Sequence, residues 1–386
     1  MDSVYLDNAA TTPCDPDVLN VMQTFLQEEF GNPSSKHRLG VRAAEALEEA
    51  RGHVARATGA HRERIWFTSG GTEADNLAVQ GLARAGQSHG RHVVVGPTEH
   101  SAVRDAALSL KDDGFEIEFM RLDDQGGLDL DHAASILRED TVLVAQMQAS
   151  NEFGTVYPIR QLSEIIRARS PHAAFHVDAV QALGKLDCDL AELGCDSLAL
   201  SAHKIHAPKG SGALVFAREI PVRPLFFGGG QEGKIRPGTQ NPAGIVAFGE
   251  AVRISESSRS RCTTKMRELR ERLKNGLTRQ EGLRVVEPGG PTAEFLPNIL
   301  SVVMPGVPSE VRLHHLDAHG VMASAGAACQ AGAKDINPAL AAIGLGVDES
   351  RSVLRFSFGR FTTEADVDRG IEAMREVSQE LAAVSS

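Results

Sequence analysis

The sequence predicts an α/β fold, with a mainly parallel sheet in a large domain and a small α+β domain at the C-terminus. Short apolar runs alternate with amphipathic segments between residues 64 and 216, which is typical of strands joined by helical crossovers. Beyond residue 255 the pattern changes to a charged helix followed by separated strands. A chain of 386 residues is also long for one hydrophobic core. We therefore predict a large domain over 15–254 and a small domain formed by 1–14 together with 255–386.

Apolar spacing places the individual elements of this fold. Before the alternating region we predict a strand at 4–6 and helices at 16–29 and 41–58. Within it we predict strands at 64–68, 92–95, 115–122, 141–147, 173–177, 197–200 and 213–216, separated by helices at 73–85, 102–110, 130–137 and 159–168. The C-terminal part is predicted to contain a helix at 263–277, strands at 299–303 and 354–357, and a final helix from about 363.

The composition narrows the class of function. The net charge is −11, which disfavours binding to nucleic acid or to an anionic membrane as the main task. No apolar run is long enough to cross a bilayer, and the first residues lack the pattern of a secretory signal. The five cysteines are scattered and have no zinc-ligand spacing, so we expect no metal site and reduced thiols in a cytoplasmic protein.

Polar side chains follow the predicted strands at the points where those strands end. Ligands bind at this edge in parallel sheets, because the carboxyl ends of the strands meet there. A single histidine or aspartate in such a position is usually structural, but a succession of polar strand ends predicts one polar site. These residues are Gly71 and Thr72, His100, Asn151, Asp178 and Gln181, and Ser201, His203 and Lys204.

Lys204 has the most informative position in this set. It follows a buried-type strand, where burial of an ammonium group is costly. A desolvated lysine loses its proton more easily and forms a Schiff base with an aldehyde. The residues around it are equally compatible with a solvated loop lysine, so the local sequence leaves both interpretations open.

The whole set matches the needs of pyridoxal 5′-phosphate. The aldehyde of this cofactor requires a lysine, and its ring nitrogen requires a carboxylate. Lys204 and Asp178 supply these groups, while His100 supplies a flat partner for the ring and Gln181 a donor for the phenolic oxygen. Donors for the phosphate come from Gly71, Thr72, Ser201 and His203.

From Tyr5 to about Thr363 the chain resembles the group I cysteine desulfurases of the pyridoxal-phosphate-dependent class V aminotransferase family. This resemblance implies the fold-type-I architecture of that superfamily. It extends over nearly the whole chain and is therefore more specific than any single motif. The matching segments are Tyr5 to Pro13, Phe30 to Ser35, Phe67 to Glu73, Thr98 to His100, Asn151 to Gly154, His176 to Gln181, His203-Lys204, Gly228 to Glu232 and Arg355 to Arg360.

The resemblance implies roles for further residues. Arg355 is expected to receive the substrate carboxylate, with Asn151 and Asn32 as other substrate-binding residues. Asn151 is also expected near the phenolic oxygen of the cofactor. Thr239 matches a phosphate ligand that is donated across a dimer interface, so the active site would require a homodimer.

Cys329 is the nucleophile that the resemblance implies. It lies in a run of small residues without amphipathic period, for which we expect a mobile loop in the small domain. The expected reaction takes L-cysteine to L-alanine, with His100 among the catalytic residues, and leaves a persulfide on Cys329 for a protein sulfur acceptor, as in iron–sulfur cluster biogenesis. Ala325, Ala327 and Gln330 depart from the usual family loop, which makes the surroundings of the thiol less polar.

Two other functions remain open from the sequence. A selenocysteine lyase or another class V enzyme would share the lysine site but would not require Cys329. A non-catalytic sulfur-relay scaffold would keep the fold without turnover, although the intact set of Lys204, Asp178 and His100 argues against it.

Overall fold

The computed structural model describes residues 3–325 and 337–385. Its strands are β1 (Val4–Tyr5), β2 (Ile65–Thr68), β3 (His92–Val95), β4 (Glu116–Phe119), β5 (Thr141–Met147), β6 (Ala174–Asp178), β7 (Ser197–Ser201), β8 (Gly212–Phe216), β9 (Arg284–Val286), β10 (Ile299–Val303), β11 (Val321–Met322) and β12 (Val353–Ser357). Its helices are α1 (Pro16–Gln27), α2 (Arg38–Thr58), α3 (Gly71–Gly86), α4 (Ser101–Ser109), α5 (Leu130–Ile136), α6 (Ile159–Arg169), α7 (Leu190–Leu193), α8 (Pro242–Leu277), α9 (Ser309–Ala318), α10 (Pro338–Ala342), α11 (Val347–Ser350) and α12 (Glu364–Ser385).

The main sheet has seven strands in the order β2-β8-β7-β6-β5-β3-β4. Neighbouring strands from β7 to β4 pair in parallel, whereas β8 pairs antiparallel with both β2 and β7. Within this sheet β8 therefore runs against the other strands. The predicted mainly parallel α/β sheet is confirmed, and the carboxyl ends of β2, β3, β5, β6 and β7 meet at one edge.

Helices cover both faces of this sheet, so its central strands are buried along their whole length. Successive side chains alternate between the two faces. Val144 and Phe175 belong to one hydrophobic core, and Leu143, Ala145 and Ala199 belong to the other. Among the helices of the described residues, none has the length and apolar character that a membrane span needs.

The C-terminal part has a separate core that includes the N-terminal strand. Strands β9, β10 and β12 form an antiparallel sheet in the order β12-β10-β9. The short strand β1 pairs in parallel with β11, and Asp7 forms an isolated parallel bridge with Ser357. Val4 and Leu6 pack with Leu354 in this core. The two ends of the chain are thereby joined next to the edge at which the main strands end.

Helix α8 begins about twenty residues before the predicted start of the charged helix at Thr263. Asn241 caps it by accepting a hydrogen bond from the backbone N–H of Gly244 at 3.1 Å. Its first half packs closely on α2, since a Cβ added to Gly249 would lie 2.6 Å from the Cβ of Ala50. The predicted domain boundary after residue 254 falls inside this helix. The division into two domains stays a prediction, which the separate cores support.

Candidate active site

A cavity of about 450 Å³ lies at the carboxyl edge of the main sheet. Side chains from the N-terminal turn and from β12 close its other side, so both ends of the chain contribute to it. The cavity brings together ten of the residues predicted from sequence: Gly71, Thr72, His100, Asn151, Asp178, Gln181, Ser201, His203, Lys204 and Arg355.

The start of α3 forms one end of this cavity, and its geometry suits an anion. Gly70 has φ 154° and caps the helix without a side chain, so no side chain competes for the first N–H groups. At Gly71 a Cβ would lie 2.7 Å from Cγ2 of Val180, so only glycine permits this close approach. Ser201 also lines the cavity, and its buried hydroxyl has no hydrogen-bond partner in the described part of the chain. Together with the positive end of the helix dipole, these groups suit a phosphate.

Asp178 ends β6 and is buried at the floor of the cavity. Its Oδ1 accepts a hydrogen bond from the backbone N–H of Val180 at 2.9 Å. Burial raises the pKa of the Asp178 carboxyl, while that hydrogen bond and the nearby His100 and Lys204 act against the increase. A buried carboxylate in this position favours a cationic partner inside the cavity.

Lys204 lies at the end of the short helical turn that follows β7. Its ammonium donates hydrogen bonds to the carbonyl oxygens of Ala9 at 2.5 Å and Ala10 at 2.8 Å. Burial, with help from the positive charges of Arg355 and Lys185, lowers the pKa of Lys204 to about 8. About a tenth of the amine is therefore neutral at pH 7, far more than for an ordinary lysine, as a nucleophilic lysine requires. The interpretation as a solvated loop lysine does not fit this environment.

Two histidines of the cavity are held by hydrogen bonds at their Nδ1 atoms. His100 caps α4, and its Nδ1 accepts from the backbone N–H of Ala102 at 3.1 Å, which leaves a ring proton on Nε2. His203 Nδ1 lies 3.1 Å from Oγ1 of Thr11. Burial and neighbouring lysines lower the pKa of His203 to about 4, so this ring is neutral at physiological pH. Both rings are thus oriented by the chain before any ligand arrives.

Gln181 and Asn151 add two amide side chains to the lining of the cavity. Gln181 Nε2 donates to the carbonyl oxygen of Ala9 at 3.0 Å, and its buried Oε1 has no partner within residues 3–325 and 337–385. Asn151 Nδ2 donates to Oε1 of Glu152 at 2.7 Å. Each amide keeps hydrogen-bonding capacity toward a ligand.

Arg355 reaches the cavity from β12 and is almost fully buried. Its Nη1 donates to the carbonyl oxygen of Asn151 at 2.8 Å, and its Nη2 donates to Oδ1 of Asp7 at 3.0 Å. The Nε atom is buried without a hydrogen-bond partner among the described residues. A guanidinium held in this way has donors available for a carboxylate.

A group of buried acids lies beneath the site and was not singled out from the sequence. Asp75 Oδ1 lies 3.1 Å from Nε2 of His176, whose Nδ1 lies 2.9 Å from Oγ of Ser197. Burial lowers the pKa of His176 to about 3. Burial and the charge of Asp178 raise the pKa of Glu99 to about 8. Glu99 therefore tends to remain protonated at neutral pH, which limits the negative charge near Asp178.

Sequence reasoning also missed Asp7, Glu152, Ser324 and Lys185. Glu152 and Ser324 line the cavity, and Ser324 pairs its backbone with that of Arg355. Burial lowers the pKa of Lys185 to about 8, and its Nζ lies 3.5 Å from the carbonyl oxygen of Lys204. For two of them the sequence contained a signal, because Glu152 and Asp7 are charged residues within the motifs that carry the family resemblance.

Two of the remaining predicted residues, Asn32 and Thr239, do not line the cavity of this chain. Asn32 is exposed, and its Oδ1 accepts from the backbone N–H of Ser34 at 2.9 Å. Thr239 is exposed as well. Cys329, with Ala327 and Gln330, lies outside the described residues, whereas Ala325 is described and buried.

The other cysteines form no disulfide among the described residues. Burial raises the pKa of Cys188 to about 12 and also raises the pKa of Cys195. Burial and Asp15 raise the pKa of Cys14. Because the thiolate is the nucleophilic form, these thiols are poorly suited to attack a substrate.

Comparison with known proteins adds the following findings. The aminotransferase class-V family model matches residues 4–369. The cysteine desulfurase IscS of Dictyoglomus turgidum is 38% identical over 382 residues, covering 99% of this chain and 96% of the relative. A solved NifS-like protein superposes with a TM-score of 0.90 at 33% identity, covering 98% of this chain and 99% of that one. The structure of SspA in complex with cysteine superposes with a TM-score of 0.79 at 30% identity, covering 94% of this chain and 100% of that one. The predicted family resemblance and fold class are confirmed.

Proposed function

The chain belongs to the aminotransferase class-V family, and from that membership we propose that it is a pyridoxal-phosphate-dependent cysteine desulfurase. The observation that carries the proposal is a single cavity that holds both Lys204 and Arg355. An α-amino acid has an amine that can replace Lys204 at the cofactor and a carboxylate that can pair with Arg355. The relatives that match over the full length bear the name of this activity.

The side chains around Lys204 fit the cofactor. The uncapped start of α3, with Gly71 and Thr72, and the hydroxyl of Ser201 would hold the phosphate together with His203. Asp178 would pair with the ring nitrogen, and His100 would lie against the ring. Gln181 and Asn151 would lie near the phenolic oxygen. When bound, pyridoxal phosphate supplies an aldehyde and a ring that withdraws electrons.

The residues of the chain then have separable tasks. Arg355 binds the carboxylate of L-cysteine and so fixes the α-carbon relative to the lysine. Lys204 moves the proton of that carbon through Nζ, and its lowered pKa suits a general base near neutral pH. Asp178 remains ionised when a cationic ring nitrogen lies beside it, because an opposite charge lowers the pKa of a buried carboxyl.

The sulfur step of the proposal belongs to Cys329. Its thiolate attacks the sulfur of L-cysteine, the carbon–sulfur bond breaks, and the products are L-alanine and a Cys329 persulfide. A protein acceptor then takes the sulfur, which is the partner predicted from the sequence. The raised pKa values of Cys14, Cys188 and Cys195 support this assignment, because they disfavour the other described thiols for which a shift is seen.

The proposal includes a homodimer in which Thr239 reaches the phosphate end of the neighbouring cavity. Thr239 is exposed outside the cavity of its own chain, which is compatible with that role. Thr72 and His100, which line the cavity, are also exposed in the single chain, so a second chain could reach this end of it. Phe227, twelve residues before Thr239, has 88% of its surface exposed. An exposed apolar ring of this kind favours an interface with a second chain in this region. The substrate role of Asn32 and the cytoplasmic setting stay part of the same proposal.

The test is product formation from L-cysteine by purified wild-type, Cys329→Ala and Lys204→Ala protein. We expect equal amounts of alanine and transferable sulfur from the wild type, and neither product from the two variants. Alanine formed by Cys329→Ala would contradict the persulfide mechanism and favour a lyase. A wild type that binds the cofactor but leaves L-cysteine unchanged would favour the scaffold.

A further inference from the structure

We propose that Asp7 is a positioning residue, which holds Arg355 in the orientation that receives the substrate carboxylate. The inference rests on the proposed function, because it adds a residue to that substrate site. Oδ1 of Asp7 accepts a hydrogen bond from Nη2 of Arg355 at 3.0 Å. The side chain of Arg355 is 6% exposed and that of Asp7 is 20% exposed, so the pair is shielded from water on most sides.

The backbone holds Asp7 firmly enough for this task. Asp7 and Ser357 form a parallel bridge, and the N–H of Ser357 donates to the carbonyl oxygen of Leu6 at 2.7 Å. On the other side, the hydroxyl of Tyr5 lies 3.0 Å from the carbonyl oxygen of Asp7 and 2.9 Å from that of Thr11, and its one hydrogen is shared between these two acceptors. Ser357 lies two residues beyond Arg355 on β12, so the same strand carries the arginine and anchors its partner.

The contacts of the guanidinium leave a defined set of donors for a ligand. The carbonyl oxygen of Asn151 takes one N–H of Nη1, and Asp7 takes one N–H of Nη2. Nε–H is buried and has no partner among the described residues, so it gains a hydrogen bond when a carboxylate arrives. An arginine fixed by two partners loses little conformational freedom on binding the ligand. Loss of Asp7 should therefore weaken ligand binding more than it slows the chemical step.

A matched acid–arginine pair lies nearby but outside the cavity. Oδ2 of Asp15 lies 2.7 Å from Nη1 of Arg360, and Asp15 also caps α1. This pair likewise joins the N-terminal segment to the region after β12. The side chain of Asp15 is 4% exposed, against 20% for that of Asp7. Asp15→Asn thus reports the effect of weakening the same kind of connection without touching the proposed substrate site.

The experiment compares holoenzymes of wild type, Asp7→Ala, Asp7→Asn and Asp15→Asn. Steady-state kinetics with L-cysteine give KM and kcat separately, and the change in cofactor absorbance with L-alanine gives ligand affinity without turnover. For Asp7→Ala we expect KM to increase about tenfold, with kcat changed by less than about threefold. Asp7→Asn keeps an acceptor oxygen and should recover part of the loss. L-alanine affinity should fall in parallel, and Asp15→Asn should change none of these values.

Other results overturn the inference. Unchanged KM and L-alanine affinity in Asp7→Ala would exclude the positioning role. A lower KM in Asp7→Asn than in the wild type would also exclude it, because it would mean that repulsion between Asp7 and the substrate carboxylate dominates. A fall in kcat with KM unchanged would place Asp7 in structural support of Lys204 through Ala9 and Ala10. If the wild type bound L-alanine but did not turn over L-cysteine, the proposed function would fail, and the L-alanine affinities would still decide the role of Asp7.

Discussion

The two walls of the cavity are built differently. The wall that we propose for the cofactor consists of strand ends from one mainly parallel sheet, and each polar group follows a strand whose position the sheet fixes. The substrate wall consists of Arg355 on β12 and Asp7 in the N-terminal turn, which meet through pairing between the two ends of the chain. The first wall rests on the two cores of the main sheet, whereas the second has a smaller core of its own and also needs a few hydrogen bonds between distant parts of the chain to bring Asp7 to Arg355. We therefore expect cofactor binding to be robust and substrate binding to be sensitive to single changes.

The largest effect is expected on the cofactor wall, at Lys204. Lys204→Ala removes the amine that we propose binds the cofactor and moves the proton, so kcat should fall by about 10³-fold or more. The visible absorbance band of the Schiff base between pyridoxal phosphate and the lysine should also disappear. Lys185→Met is the matched control, because burial lowers the pKa of that lysine to about 8 as well. Retention of the band in Lys204→Ala, or its loss in Lys185→Met, would show that the wrong lysine has been assigned.

On the substrate wall, Arg355→Gln should raise KM for L-cysteine by about 10- to 100-fold, since a charge-assisted hydrogen bond contributes about 1.5–3 kcal/mol. The cofactor band should remain, because Arg355 is not among the cofactor residues. Steady-state kinetics and absorbance spectra measure both effects on one sample. An unchanged KM would mean that another residue receives the carboxylate.

The two walls are linked by charge, and this link predicts a pH dependence. The pKa of Lys204 is lowered to about 8, so the neutral amine decreases about tenfold for each pH unit below that value. The rate at which cofactor-free protein takes up pyridoxal phosphate should therefore rise with pH and level off above about 8. In Arg355→Gln the midpoint should move to higher pH, because a neighbouring positive charge is removed. An identical midpoint in both proteins would contradict this electrostatic link.

A smaller effect concerns the anchoring of the N-terminal turn. Oγ of Ser357 accepts a hydrogen bond from the backbone N–H of Ala9 at 2.7 Å in a buried position. Ser357→Ala leaves that N–H without a partner, which should lower the free energy of unfolding by about 1–3 kcal/mol. Urea denaturation measures the change. Ser135→Ala, at an exposed hydroxyl, should change it by less than about 0.5 kcal/mol. Equal effects of the two substitutions would argue against a firmly anchored turn.

The last prediction concerns the two buried cysteines Cys188 and Cys195, where no change of activity is expected. In the folded protein, Cys188 and Cys195 should react with iodoacetamide far more slowly than in urea, because burial raises their pKa values. Mass spectrometry of partly alkylated protein identifies the order of modification, and Cys329 should be labelled first. Labelling of Cys188 at the same rate with and without urea would contradict its burial.

The contrast between the walls also explains what the sequence could reveal. Asp178 and Lys204 follow strands with strong apolar patterns, so the parallel sheet alone predicts that they lie together. Asp7 and Arg355 meet through the bridge between Asp7 and Ser357, which no periodicity indicates. Arg355 was found through the resemblance, and its partner Asp7 was not assigned a role.

The start of α8 was missed for a related physical reason. Its first half contains Gly244 and Gly249, which weaken helix propensity and the apolar pattern. Packing against α2 compensates, because a glycine allows the approach to Ala50. Tertiary contact of this kind has no local signature, whereas the charged second half of the helix was recognised from its composition.

The most direct test of the central claim is to identify the lysine that holds the cofactor. Borohydride reduction of the holoenzyme makes the link between lysine and pyridoxal phosphate permanent, and peptide mass spectrometry then locates it. The predicted result is a single modified peptide that carries the label on Lys204. A label on Lys185, or the absence of a labelled peptide from cofactor-saturated protein, would contradict the assignment on which the proposed function rests.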